Sequence, residues 1–212
     1  MQTDDLITLM AHTKPRRYKM QRFLTWGAVL GILAVLVAII AGIYGIRPDI
    51  RQIFLDHAMG FKYGILGEFA ALAGTAWWLS GQPARRLRAP LLCIIGLLGL
   101  LLTTTVFAYL DQPYTAFKAA VFDRAAFSCV GSILVLASAT VFVLLRLSRS
   151  MAPTNATLHA VMTAMFAAAL AGLAYGFHCQ HDHPAYLALW YAGTALLFTV
   201  AATPLLAKKI RW

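Results

Sequence analysis

The sequence predicts an all-α polytopic membrane protein, a bundle of six transmembrane helices with both termini in the cytoplasm. Three observations predict it. Of 212 residues, 60% are hydrophobic and 12% charged, with a mean hydropathy of +0.71, whereas a soluble domain holds ~45–50% apolar and ~25% charged residues. The apolar residues gather into six long runs, at about 23–46, 63–80, 89–110, 125–145, 155–177 and 185–207. The basic residues lie in the short segments between them and alternate in density, as membrane insertion favours.

The net charge of +10 would suggest nucleic acid in a soluble protein. Here it reads as topogenic charge, and no direct contact with nucleic acid is expected. Three cysteines without a C-x-x-C pair argue against a zinc ribbon or a thioredoxin-type motif. There is no internal repeat or low-complexity tail, so one membrane domain, 23–212, follows a polar segment, 1–22.

That segment has two parts. Thr3 is placed to cap a short helix, with Asp4 and Asp5 in its first turn, where the helix dipole favours negative charge. Leu6, Ile7, Leu9 and Met10 give it an apolar face. A helix so short is marginal alone. Pro15 then interrupts a basic run from Lys14 to Arg22, a flank suited to anionic lipid head groups.

The first run, 23–46, is uncharged, and ~20 residues suffice to cross the hydrocarbon. A cleaved signal peptide has a shorter apolar core of ~7–15 residues, so the run is expected to stay as a helix. Gly27 and Gly31 form a G-x-x-x-G pattern that allows close approach of another helix. The second run, 63–80, has Lys62 placed to snorkel at one end and Trp77-Trp78 at the other interface. It holds Glu68, the one glutamate in the chain. A carboxylate in hydrocarbon is costly, so Glu68 is expected to be protonated, paired or turned inward, with a structural hydrogen bond preferred over a proton or ligand site. Cys93, in the third run, reads as an inert small hydrophobe. The segment 111–124 reads as a mixed-charge loop. Runs four and five flank a polar break at 146–154 containing Pro153. Ala168, Gly172 and Gly176 in run five form a small-residue ladder suited to close packing. Asn155-Ala-Thr157 matches a glycosylation pattern, but on the side where that match is accidental.

Thirteen Lys and Arg fall on the side of the termini and five on the other, which sets both termini in the cytoplasm. Cys129 and Cys179 are equidistant from the break at 154, so a hairpin of runs four and five brings them to one height on the outer side. In a Gram-negative cell that side is the oxidising periplasm. Beside Cys179 stand His178, His181 and His183, and imidazolium lowers a thiol pKa. Three readings stay open for the cysteines: redox or soft-metal sensing, a structural disulfide, or unpaired thiols. Thiolate with imidazole suits zinc, copper or cadmium, so the histidines are candidate ligands of a transient soft metal ion, although a polar loop with three histidines is more often solvated than ligated. No resident cofactor and no catalysis are expected.

These residues resemble a known family, the NrsF-type membrane anti-sigma factors. The resemblance rests on Thr3-Asp-Asp-Leu-Ile7, Arg47-Pro-Asp-Ile50, Phe61-Lys62, Cys129, His178-Cys179, Leu189-Trp-Tyr191 and Arg211-Trp212, and it covers nearly the whole chain. It implies a protein of the bacterial inner membrane that holds an extracytoplasmic-function sigma factor through Thr3, Asp4, Asp5, Leu6, Ile7, Leu9 and Met10. It also implies that Cys129 and Cys179 report metal or oxidant stress. His181 and His183 are not part of the pattern. The H-x-x-x-C-x-x-C of zinc-containing anti-sigma proteins is absent. The alternative is a small thiol-dependent metal-binding or transport protein, which needs ligands along a path where only Glu68 and Cys93 stand. A thiol oxidoreductase would need a second exchanging pair. Besides the sigma factor, expected partners are membrane lipid and a second copy of the chain.

Overall fold

The computed structural model describes residues 16–52, 55–83 and 87–210, and every regular element among them is helical. The sigma-binding stretch expected at Thr3 to Met10 lies outside the described residues. Helix α1 spans Arg16–Ile43, α2 His57–Ser80, α3 Arg88–Asp111, α4 Tyr114–Val121, α5 Ala125–Ser148, α6 Ala156–Gly176 and α7 Pro184–Ile210.

Five segments are long and apolar enough to cross a membrane: Phe23–Ile43, Arg88–Asp111, Tyr114–Ser148, Ala156–Gly176 and Pro184–Ile210. The second expected span, α2, has 24 residues and so the length to cross at ~1.5 Å per residue. Lys62, Glu68 and its glycines dilute its hydropathy. The segment 111–124, read as a loop, contains the helix α4, which lies beside the start of α7, where Trp190 Nε1 donates to the Val121 carbonyl at 2.8 Å.

Helix α6 is the centre, packing against α1, α2, α5 and α7. Fifteen of its 21 residues are buried, against four of 24 in α3. The cause is its alanine- and glycine-rich sequence, which lets backbones approach on several sides. The expected ladder is used: a Cβ on Gly172 would touch Tyr191 on α7, and one on Gly176 would lie 3.1 Å from Leu66 Cδ1 on α2. Asn155, in the accidental glycosylation pattern, caps α6 by accepting from Leu158 N at 2.9 Å.

Helices α2, α5 and α6 are joined at the end opposite the cysteines by a buried polar knot. Trp77 Nε1 donates to Ser148 Oγ at 3.3 Å, and His159 bridges Ser80 Oγ at 2.8 Å and Ser148 Oγ at 3.0 Å. Ser80 donates its one proton to the Trp77 carbonyl, so His159 Nδ1 must donate to Ser80 and Nε2 accept from Ser148. Every polar atom of the knot is thereby satisfied. Trp77, expected at the membrane interface, is fully buried instead.

Three further expectations are corrected. Glu68 is exposed on the outer face of α2 and makes no hydrogen bond or ion pair among the described residues; the inward face at its level is taken by Ile65, Leu66 and Ala70. Cys93 is exposed rather than buried. Gly27 and Gly31 also face outward, and a Cβ there would meet nothing within 4 Å. The close approach occurs at Gly74, where a Cβ would come within 2.8 Å of Phe166 Cε2 and 3.3 Å of Trp26 Cη2. Gly74→Ala is therefore expected to destabilise by about 1–3 kcal/mol through overpacking, whereas Gly31→Ala stays within about 0.5 kcal/mol. Thermal unfolding in detergent reads both, and equal effects would refute the packing assignment.

A sealed thiol pocket bolted to the first helix

Cys129 lies one turn inside α5, and Cys179 follows the end of α6. Both are buried free thiols in the same core cluster. The two stand at the same end of the bundle, within electrostatic reach of each other. Around them stand Tyr186 and Tyr191, whose buried hydroxyls approach the sulfurs, Tyr186 that of Cys129 and Tyr191 that of Cys179, and find no other hydrogen-bond partner among the described residues.

The tyrosines converge because Leu187–Ala192 is a π-helical stretch, in which Gly193 N–H bonds back five residues to the Ala188 carbonyl. In that winding residues five apart lie nearly one above the other, so Tyr186 and Tyr191 share a face; a regular α-helix would separate them. Neither hydropathy nor side-chain periodicity carries a signal for such a stretch.

The loop 177–183 closes the pocket, and two cations hold it. The Arg47 guanidinium engages Asp182 bidentately at 2.8 and 2.9 Å and Asp49 at 2.7 and 2.8 Å, with its fifth N–H on the Cys179 carbonyl at 3.3 Å. All five donors are used. Lys62 is fully buried; its ammonium donates to the Cys179 carbonyl at 2.6 Å and the His181 carbonyl at 3.1 Å, and pairs with Asp182 Oδ1 at 3.1 Å. All three of its protons are spoken for. Two cations and two carboxylates thus form a neutral, fully bonded cluster, the condition under which buried charge is tolerated.

The electrostatics follow. The hydrogen bonds Arg47 donates to Asp49 and Asp182 raise it further above its ordinary value. Arg47 holds Asp49 below the usual carboxylate range. For Asp182, burial pushes upward, but Arg47 and Lys62 outweigh it, and the net shift is downward. Burial lowers His183.

The sequence places Arg47 as a span-end flank and Lys62 as a snorkelling residue; both are interior. The chain reaches this geometry because α1 stops at Ile43 and Gly45 takes a positive φ of 81°, a conformation that favours glycine. That turn folds Arg47 under the bundle, where its own N–H donates to the Phe177 carbonyl at 3.0 Å. Helix α2 begins at His57, six residues before the expected span, with Asp56 accepting from Ala58 N and Met59 N as its cap. Lys62 therefore sits more than a turn inside the helix. The available signal was three opposite charges, Arg47, Lys62 and Asp182, at the same end of an otherwise apolar chain.

The three loop histidines diverge. His178 Nδ1 donates to the Gly45 carbonyl at 3.1 Å and packs on Tyr44. His181 Nε2 is 3.2 Å from Asp123 Oδ2, with its ring stacked on Tyr186. His183 Nδ1 accepts from Ala185 N and caps α7. Each ties the loop to a different element, and among the described residues no group of three or more His, Cys, Asp or Glu is placed to hold a metal ion.

Fold and site together define a helical membrane protein in which two buried thiols and two phenols lie behind a loop fastened to the end of the first helix. The particular family is given by residues 9–212, nearly the whole chain, which match the NrsF family, described as negative regulator of sigma F; the chain belongs to that family. No curated protein and no solved structure matches the chain. It is a negative regulator of a sigma factor.

Proposed function

We propose that this protein is an anti-sigma factor of a bacterial inner membrane, with six spans counting α2 and both termini in the cytoplasm. It holds an extracytoplasmic-function sigma factor with Thr3, Asp4, Asp5, Leu6, Ile7, Leu9 and Met10 and releases it when Cys129 and Cys179 react. The Lys and Arg distribution supports the orientation. A short acidic-then-apolar helix suits a segment that folds on a partner's groove.

The observation that carries the reading is the joint between the thiol pocket and α1. Cys179's carbonyl is held by Arg47, which follows α1, and by Lys62 on α2. The other end of α1 leads to residues 1–15. Reaction at the thiols, either two-electron oxidation to a disulfide by an external oxidant or capture of a soft metal ion as two thiolates, must disturb a loop that is sealed at rest. Movement of that loop reaches α1 through Arg47.

A sigma-dependent reporter in cells tests this. Deleting residues 2–12 is expected to raise basal transcription by about tenfold or more while membrane levels stay unchanged. Cys129→Ser or Cys179→Ser is expected to leave basal repression intact and flatten the dose response to cadmium and to oxidant. Full repression by the truncated chain would sink the partner assignment; an unchanged dose response would sink the sensor assignment separately.

A further inference from the structure

The end of the bundle opposite the cysteines carries a cleft of about 600 Å³ between the ends of α5 and α7, lined by Phe142, Leu145, Arg146, Arg149, Lys209 and Ile210, with Ser148 at its edge. We propose that this cleft is a binding site for an anionic phospholipid, with the phosphate between Arg146, Arg149 and Lys209 and an acyl chain along Phe142 and Leu145.

Four observations converge on it. Arg146, Arg149 and Lys209 are solvent-accessible, and no carboxylate pairs with any of them among the described residues. No described acid stands at that end at all: Asp49, Asp56, Asp111, Asp123 and Asp182 lie on segments at the cysteine end, and Glu68 is midway along α2. The helix C-termini contribute only about half a negative charge each, far short of balancing three cations, so nothing among the described residues supplies the counter-charge. The Lys209 ammonium sits over the Phe142 ring, 5.8 Å from its centroid. That contact places a cation directly above an apolar wall, the arrangement of a headgroup above its chain.

The depth is right as well. Arg146 and Lys209 are in the last turns of two apolar helices, where head groups meet hydrocarbon, and basic pockets between helices at that level suit anionic head groups. Exposed Phe142, Val143 and Val135 continue the apolar track along α5 away from the cations. Ser148 adds little, its hydroxyl being engaged by Trp77 and His159. The proposal rests on α5 and α7 spanning the bilayer and is independent of how the sigma factor is held.

The full chain, purified in a neutral detergent, is titrated with phosphatidylglycerol, with phosphatidylcholine of the same acyl chains, and with inorganic phosphate, followed by native mass spectrometry and thermal unfolding. Phosphatidylglycerol adducts are expected at least tenfold above phosphatidylcholine at equal concentration, with a raised Tm. Arg146→Gln with Arg149→Gln should bring retention down to the phosphatidylcholine level. Arg146→Lys with Arg149→Lys, which keeps the charges that set topology, should retain most of it, and Arg88→Gln all of it. Equal retention of the two lipids, or retention by the double Gln variant, would overturn the proposal. So would an equal Tm rise from inorganic phosphate at lipid concentrations, which would indicate a free-anion site. Lipid binding that emerges only after residues 2–12 are deleted would show that the cleft holds the chain's own acidic segment instead.

Discussion

Replacing Lys62 with Met is expected to lower the stability of the protein by about 3 kcal/mol and to speed maleimide labelling of Cys179 by at least tenfold. Met matches the length of the side chain but has no ammonium. The carbonyls of Cys179 and His181 then each lose a charged donor, and Asp182 keeps only Arg47. Removing one partner of a buried charge cluster costs about 3–5 kcal/mol. The lower figure applies because Arg47 still neutralises Asp182. The site of the loss matters more than its size, since Lys62 bonds directly to the backbone of the loop that seals the thiols. Labelling is measured in a Cys93→Ala background, because Cys93 is exposed, with Lys118→Met at the same end as the control. Labelling and unfolding equal to the control would show that Lys62 does not hold the loop shut.

The all-helical architecture and its long apolar segments were legible because they depend on composition over long windows. The meeting of Cys129 and Cys179 was legible for a related reason: two residues equidistant from a turn share a height whatever the details of packing. What closes the pocket was not legible. Arg47 and Lys62 have the residue type and position of ordinary flanking charges. Their burial depends on a glycine turn after α1 and on an early start for α2, both local backbone events. Tyr186 and Tyr191 meet the thiols through a π-helical stretch, and the spacing that defines it is invisible to an α-helical reading. Glu68 failed for the opposite reason: a general cost for membrane carboxylates predicted an inward side chain, but the small residues Ala70, Ala73 and Gly74 are what α2 turns towards α6.

The chemistry of release and the charge cluster are connected through Asp182, the group that both cations share. Asp182→Asn is expected to destabilise the protein by about 3 kcal/mol at neutral pH, because Lys62 then has two carbonyls and no carboxylate, while Arg47 keeps Asp49. The pH dependence separates this role from simple packing. In the wild type, Asp182 and Asp49 have folded values below their ordinary ~3.9, so their contribution is complete above that value and is lost as pH falls through the folded one. His183 is lowered by burial, so the unfolded chain binds its proton first, and stability declines once pH drops below about 6.5. Cys179 labelling in the wild type, divided at each pH by the labelling rate of the unfolded chain to remove the reagent's dependence on thiolate, should therefore rise gently below about pH 6.5 and steeply below about pH 4. Asp182→Asn should label fast already at pH 7.5, keep the gentle rise, and lose most of the steep one. His183→Gln should abolish the gentle rise alone. If Asp182→Asn labelled as slowly as the wild type at pH 7.5, Asp49 would suffice to neutralise the cluster, and the route from the thiols to α1 would not run through Asp182.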